Sequence, residues 1–112
     1  MRTIFILCFI LVLSYTEMLG QRVYVEKYRS QADVNIFVVK YPSQADLLVY
    51  IEGYPSQSNG NIGRWYFCKY KSESIRSIYF VKYESQADLK IYFVKYQSMS
   101  KWINQKKKCL MD

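Results

Sequence analysis

Histidine is absent from the 112 residues, and proline (two), cysteine (three) and glycine (four) are scarce. Without histidine the usual general base is missing, which weighs against acid–base or nucleophilic catalysis. The cysteines show no Cys-x-x-Cys spacing, so neither a metal site nor a redox pair is indicated. No Asn-x-Ser/Thr acceptor occurs, and N-glycosylation is not expected. The one long apolar run, Ile4 to Leu13, has ten residues, where a membrane-spanning helix needs about 20. Acidic residues are in deficit, nine against 16 basic, and leave a net charge of +7. Such a surface favours acidic partners (polyanions, anionic membrane faces, acidic glycans) without choosing among them.

What is present is apolar and aromatic. Half of the chain is hydrophobic and 18% is Phe, Trp or Tyr, enough for one packed domain at this length. The start, Met1-Arg2 followed by the ten-residue apolar run and a more polar stretch to Gly20, reads as a signal peptide. Residues 1–20 are therefore assigned to a signal peptide, 21–103 to the domain and 104–112 to a basic tail, giving a secreted protein. A signal anchor or a buried N-terminal element is the alternative. Cleavage before Gln21 removes Arg2 and Glu17, so the mature chain keeps +7 and has no transmembrane segment; a monomer is expected. It also leaves Cys68 and Cys109. In an oxidising compartment these are expected to pair, closing a loop of about 40 residues worth on the order of 3–4 kcal/mol; the alternative is two unpaired thiols.

The domain is built from copies of one unit. Tyr28-Arg-Ser-Gln-Ala-Asp33 returns as Tyr41-Pro-Ser-Gln-Ala-Asp46 and Tyr83-Glu-Ser-Gln-Ala-Asp88, and in altered form at Tyr54, Tyr70 and Tyr96. The tyrosines advance by 13 residues, except for one step of 16 between Tyr54 and Tyr70. Six units follow, starting at Val23, Ile36, Val49, Trp65, Ile78 and Ile91, with Ile62-Gly-Arg64 inserted between the third and fourth. Positions one to six of each unit are β-branched or aromatic with a period of two, which predicts a strand. Apolar residues on both parities predict strands covered on both faces.

Ser-Gln-Ala-Asp then breaks the strand. Serine with aspartate three residues later resembles a capping box, so Ser30 with Asp33, Ser43 with Asp46 and Ser85 with Asp88 are expected to brace their own bends. Tyr28, Tyr41 and Tyr83 belong to the same structural set. The alanine lets another segment pass close by, and Pro42 and Pro55 agree with strands that end there. Six short strands without long connections predict a mainly β, compact single domain. General rules favour an unknotted closed β-barrel or sandwich.

Tandem Val-Tyr-Val-x-Lys-Tyr-x-Ser-Gln-Ala-Asp units resemble the family of small β-rich proteins of unknown function with a septoil knot. The resemblance runs from about Val23 to Ile103 and is most specific at Tyr28–Asp33, Tyr41–Asp46 and Tyr83–Asp88. Ser58-Asn59, Glu73-Ser-Ile75 and Met99-Ser-Lys101 depart from Gln-Ala-Asp. It implies a deeply knotted β fold with seven crossings, and no catalytic residues or cofactor.

Other patterns have bland counterparts. Asp33, Asp46 and Asp88 would make a cation site only if they converged, since hard cations want six or more oxygens. Lys27 beside Ser30 resembles a serine–lysine pair, but a lysine precedes the tyrosine in five units of six, and an active site is normally built once. Tyrosines interleaved with lysines suit stacking on bases or sugars while ammonium groups hold acidic groups; the favoured reading packs the rings between strands. Lys106, Lys107 and Lys108 read as a charged, mobile end that offers a polyanion contact. The resulting assignment is a non-catalytic secreted structural or interaction module without cofactor. The alternative is a binder of an acidic polymer or glycan through a Lys/Tyr-rich surface.

Overall fold

The computed structural model describes residues 21–54 and 60–112; the expected signal peptide lies outside the described residues. Six strands follow the predicted units: β1 Gln21–Val25, β2 Val34–Val38, β3 Leu47–Ile51, β4 Arg64–Phe67, β5 Arg76–Phe80 and β6 Leu89–Phe93. A two-residue β7, Lys101–Trp102, comes after them. Short 3-10 turns occupy Arg29–Gln31, Pro42–Gln44, Lys71–Glu73, Glu84–Gln86 and Gln97–Met99.

The strands stand in the order β4-β1-β5-β2-β6-β3, and β3 pairs with β4 to close a barrel. All six pairings within it are parallel. The chain thus goes round the barrel twice: β1, β2 and β3 leave gaps that β5 and β6 fill on the second circuit, with β4 between β3 and β1. A compact closed β structure was expected, with barrel and sandwich both open; parallel strands joined by only eight residues were not expected, since a crossover usually takes a dozen or more. The registers account for the short return. Followed once round the wall from Ile51 with each register extended, they return to the line of β3 at a point 12 residues back along the chain. For six strands that shear tilts them roughly 55° from the axis. A five-residue strand then climbs only about 10 Å, a distance that eight residues retrace outside the wall.

Each connector crosses outside the strand it steps over. Glu26 N–H donates to Ile78 O on one side of β5 and Asp33 N–H to Ser77 O on the other (2.7 and 2.9 Å). That crossing explains why position four is buried on the outer face, at Glu26, Val39, Glu52, Cys68 and Val81. Lys71, from the connector over β1, reaches Glu26 at 2.8 Å. Gln97, from the connector over β3, donates to Glu52 at 2.6 Å. Small side chains allow the close pass: Ala45 is buried with Val39 and Leu48 in a cluster that takes in Tyr92 and Val94. Both strand faces are covered, as their apolar parities predicted.

The bore is solid. Position one supplies Val23, Ile36, Val49, Trp65, Ile78 and Ile91, all fully buried, and below them lie Gln21, Val34, Leu47 and Leu89. The lower end is sealed by the chain's own C-terminus. A 3-10 helix over Gln105–Met111 buries Met111 completely. Gln21 Nε2 donates to Met111 O (2.6 Å), Arg76 Nε to Leu110 O (3.2 Å) and Asn61 Nδ2 to Lys108 O (2.9 Å). Gln21 Oε1 in turn accepts from Trp65 Nε1 at 3.1 Å. The mobile charged tail expected for residues 104–112 is thus corrected: Leu110 and Met111 carry enough apolar surface to dock the segment despite three lysines.

The three-residue insertion sets the second circuit one strand out of step with the first. Gly63 lies at its centre with φ +85°, and an added Cβ would come within 2.4 Å of Leu48 O, while Gly63 O accepts from Tyr50 N at 2.8 Å. Gly63→Ala is expected to cost on the order of 3 kcal/mol from strain and clash together. Gly53→Ala, with nothing within 4 Å, should change stability by about 0.5 kcal/mol or less. Equal denaturation midpoints for the two variants would contradict this account of the insertion.

Candidate functional site

Because the six barrel strands are parallel, the residues that follow them gather at one end. Position five places Lys27, Lys40, Lys69, Lys82 and Lys95 there, all exposed; Gly53 takes the sixth place. Position six adds Tyr28, Tyr41, Tyr54, Tyr70, Tyr83 and Tyr96, each 57% to 67% exposed. The chain turns outward at these residues, from the strand inside to the connector outside, so neither side chain has a layer above it. The favoured packing of these tyrosines between strands is corrected. Only position two behaves that way, with Tyr24, Phe37, Tyr50, Tyr66, Tyr79 and Tyr92 half-buried beneath the connectors. Lys69 Nζ sits 5.7 Å from the Tyr70 ring centroid and Lys82 Nζ 5.6 Å from that of Tyr83, within cation–π range. A hollow of about 220 Å³ on this rim is lined by Tyr92, Phe93, Val94, Lys95, Tyr96 and Met99.

The aspartates do something other than brace their own bends. The 3-10 turns follow Tyr28, Tyr41 and Tyr83 in extended conformation, and no side chain caps them; Ser30, Ser43 and Ser85 lie exposed. Each aspartate instead clamps the strand next door. Ser77 N–H donates to Asp33 Oδ2 (3.0 Å), Lys90 N–H to Asp46 Oδ2 (2.9 Å) and Asn35 N–H to Asp88 Oδ2 (2.9 Å). The backbone N–H of each aspartate returns a bond to the carbonyl of the same partner, at 2.9, 2.7 and 2.8 Å. Three two-bond rings thus start β2, β3 and β6 on their neighbours. They sit at three different strand pairs, so the carboxylates do not converge. Among the described residues no group of three or more acidic or sulfur side chains could hold a metal.

Asp46 carries more than its two siblings. It is buried, and its carboxylate also takes Asn104 Nδ2 (3.3 Å) and Lys107 Nζ (3.2 Å) from the C-terminal segment. Of the three tail lysines proposed as a contact, Lys107 is therefore engaged, while Lys106 and Lys108 are exposed at the end opposite the lysine rim. Cys68 and Cys109 are both unpaired. Cys68 lies buried just past β4, and Cys109 is exposed on the sealing helix. The disulfide expected in an oxidising compartment is not present in this structure. Burial, and Glu73 after it, pushes the Cys68 thiol up, against a smaller opposing pull from Arg22.

Burial pushes the Asp46 carboxyl up, but the Lys90 amide, Lys107 and Asn104 outweigh it and hold the group below the ordinary carboxylate value. A carboxyl depressed in the folded state stabilises fully above its unfolded pKa, about 4, and that stability drains away as pH falls through the lower folded value. Asp46→Asn should therefore lose about 1.5–3 kcal/mol at neutral pH and show a shallower decline in acid than the parent. Parallel stability-versus-pH curves from denaturant titration would rule the clamp out as an acid-sensitive element.

The family model described as the 7(1) septoil knot domain matches residues 20–103, the family to which the Tyr-x-Ser-Gln-Ala-Asp units pointed. No curated protein and no solved structure matches the chain.

Proposed function

The chain belongs to the septoil knot domain family, and from that premise we propose a non-catalytic, secreted interaction module that engages acidic polymers or glycans through its lysine–tyrosine rim. The observation that carries this is the collection of five lysines and six exposed tyrosines at one end of a closed parallel barrel. Ammonium groups there reach phosphates, sulfates or carboxylates, and tyrosine faces stack on sugars or bases. Absence of catalysis rests on the lack of histidine and on a bore filled by six fully buried side chains, which leaves a substrate no interior cleft. The polar side chains that meet, at Asp33, Asp46, Asp88 and Glu26, join strand to strand or connector to strand.

Secretion is supported by the residue 1–20 pattern of a charged start, a ten-residue apolar run and a more polar stretch to Gly20. Intact mass of material exported from a secreting host should correspond to a chain starting at or within a few residues of Gln21; product retaining Leu13 would overturn it.

Binding is tested by titrating the mature protein against heparin-like and nucleic-acid polymers at two salt concentrations. Five lysine contacts predict an affinity loss of roughly 500-fold between about 50 and 200 mM salt. Lys82→Gln and Lys95→Gln should each lower the log–log salt slope by about 0.9 or less, while Lys106→Gln and Lys108→Gln leave it unchanged. No binding at low salt would refute the polymer reading and leave a structural role.

A further inference from the structure

Inside the ring of lysines the barrel is open, and its floor is apolar. Position three of each unit points the same way as the buried position one, yet Val25, Val38 and Ile51 are 39%, 40% and 48% exposed. Between them stand Phe67, Phe80 and Phe93, partly buried and packed on the core below. Six apolar side chains thus form one layer across a mouth about 16 Å wide for a barrel of this strand number and tilt. The opposite end is sealed by Met111 and its helix; this end has no such cover among the described residues.

We propose that this mouth seats on an anionic lipid bilayer, with the position-three layer entering the interface, the tyrosines at headgroup level and the lysines on lipid phosphates and carboxylates. The inference rests on the reading of the rim as the interaction surface and names the acidic partner. Charge and shape select it. A purely soluble polyanion accounts for the lysines and leaves Val25, Val38 and Ile51, with the outer edges of three phenylalanines, in water. A second copy of the chain would bring five lysines against five. A single acyl chain has nowhere to go, because Trp65, Ile78, Ile91 and their layer fill the bore directly beneath. What remains is a flat partner, apolar at its centre and negative at its surface. Tyrosine rings favour that boundary, and juxtaposed basic and apolar residues are the usual pairing for a protein that lies on a membrane.

The test uses the mature protein and vesicles of phosphatidylcholine, alone or with about 30% phosphatidylserine, a surface that attracts basic segments. Co-sedimentation is expected with the anionic vesicles and not with the neutral ones. A triple variant, Val25→Ser, Val38→Ser and Ile51→Ser, should lower the vesicle partition coefficient at least tenfold while heparin affinity stays within about twofold, since only the bilayer buries these side chains. A second variant, Ile51→Trp, reports insertion directly: its added fluorescence should shift to the blue and be quenched by brominated acyl chains. This readout stands even where the triple variant proves unstable. Unshifted, unquenched emission, or vesicle binding that the serine variant leaves unchanged, overturns the lipid inference and leaves the polymer reading intact if heparin still binds. Vesicle binding with insertion but without heparin binding upholds the inference and removes polymer recognition. Binding to neither removes both.

Discussion

Backbone pairing between the two circuits is the constraint from which the other features follow. β1 bonds to β4 and β5, β2 to β5 and β6, and β3 to β6, so partners in these ladders lie 40 or more residues apart. Only the β3–β4 contact is nearer in the chain, Tyr50 facing Arg64. Among the described residues no hairpin exists to form first, and a strand of the first circuit has open backbone groups until the second circuit arrives. Unpaired groups in an apolar setting are costly, so the barrel gains little until it is nearly complete. Such wholly non-local pairing makes for high contact order and slow folding. The interlaced path, strands inside and connectors outside over two circuits, is the arrangement expected of a septoil knot.

The aspartate rings answer a problem that this pairing creates. A strand that arrives beside a neighbour from a different circuit needs its register set without help from a tight turn. Asp33, Asp46 and Asp88 set it by holding one residue of the neighbour with both a carboxylate and a backbone N–H. Where the unit departs from Gln-Ala-Asp, the clamp is simpler: Ile75 donates its N–H to Arg22 O and brings no carboxylate. In the sixth unit Lys101 stands at this position, and the chain turns back antiparallel onto β3 instead of continuing the cycle. The loss of the aspartate coincides with the place where the circuit stops.

Strand positions, the covering of both faces and a compact mainly β domain were legible because they depend on periodicity, which survives in β-branched and aromatic residues; the choice of barrel over sandwich was not. Strand direction was not, since a period of two reads the same in parallel and antiparallel sheets and eight-residue connectors suggest no long crossover. The role of the aspartates was hidden for a related reason. Ser30 and Asp33 have the spacing of a local cap, yet the backbone bond from Asp33 to Ser77 turns its carboxylate toward a residue 44 positions away. The tail misled through composition, where Lys106-Lys-Lys108 outweighs Leu110 and Met111 for any reading that cannot see the open end of a barrel below Gln21. The lysine and tyrosine rim was visible as a repeat, but only parallel strands collect its members at one end.

The two halves of the sequence also differ in a way that becomes meaningful only in space. Position three is Val25, Val38 and Ile51 in the first circuit and Phe67, Phe80 and Phe93 in the second. Interleaving turns that difference into an alternation around the mouth: Phe67, Val25, Phe80, Val38, Phe93, Ile51. Alternating large and small side chains is how a narrow barrel fills its cross-section, which accounts for the phenylalanines resting on the core. It does not account for a mouth that none of the described residues covers. The other end carries a full 3-10 helix, a buried methionine and hydrogen bonds from Gln21, Asn61 and Arg76 to close it. A chain selected for stability alone gains by covering both ends. Sealing one and ringing the other with lysine and tyrosine is the asymmetry expected of a barrel whose open end meets a partner.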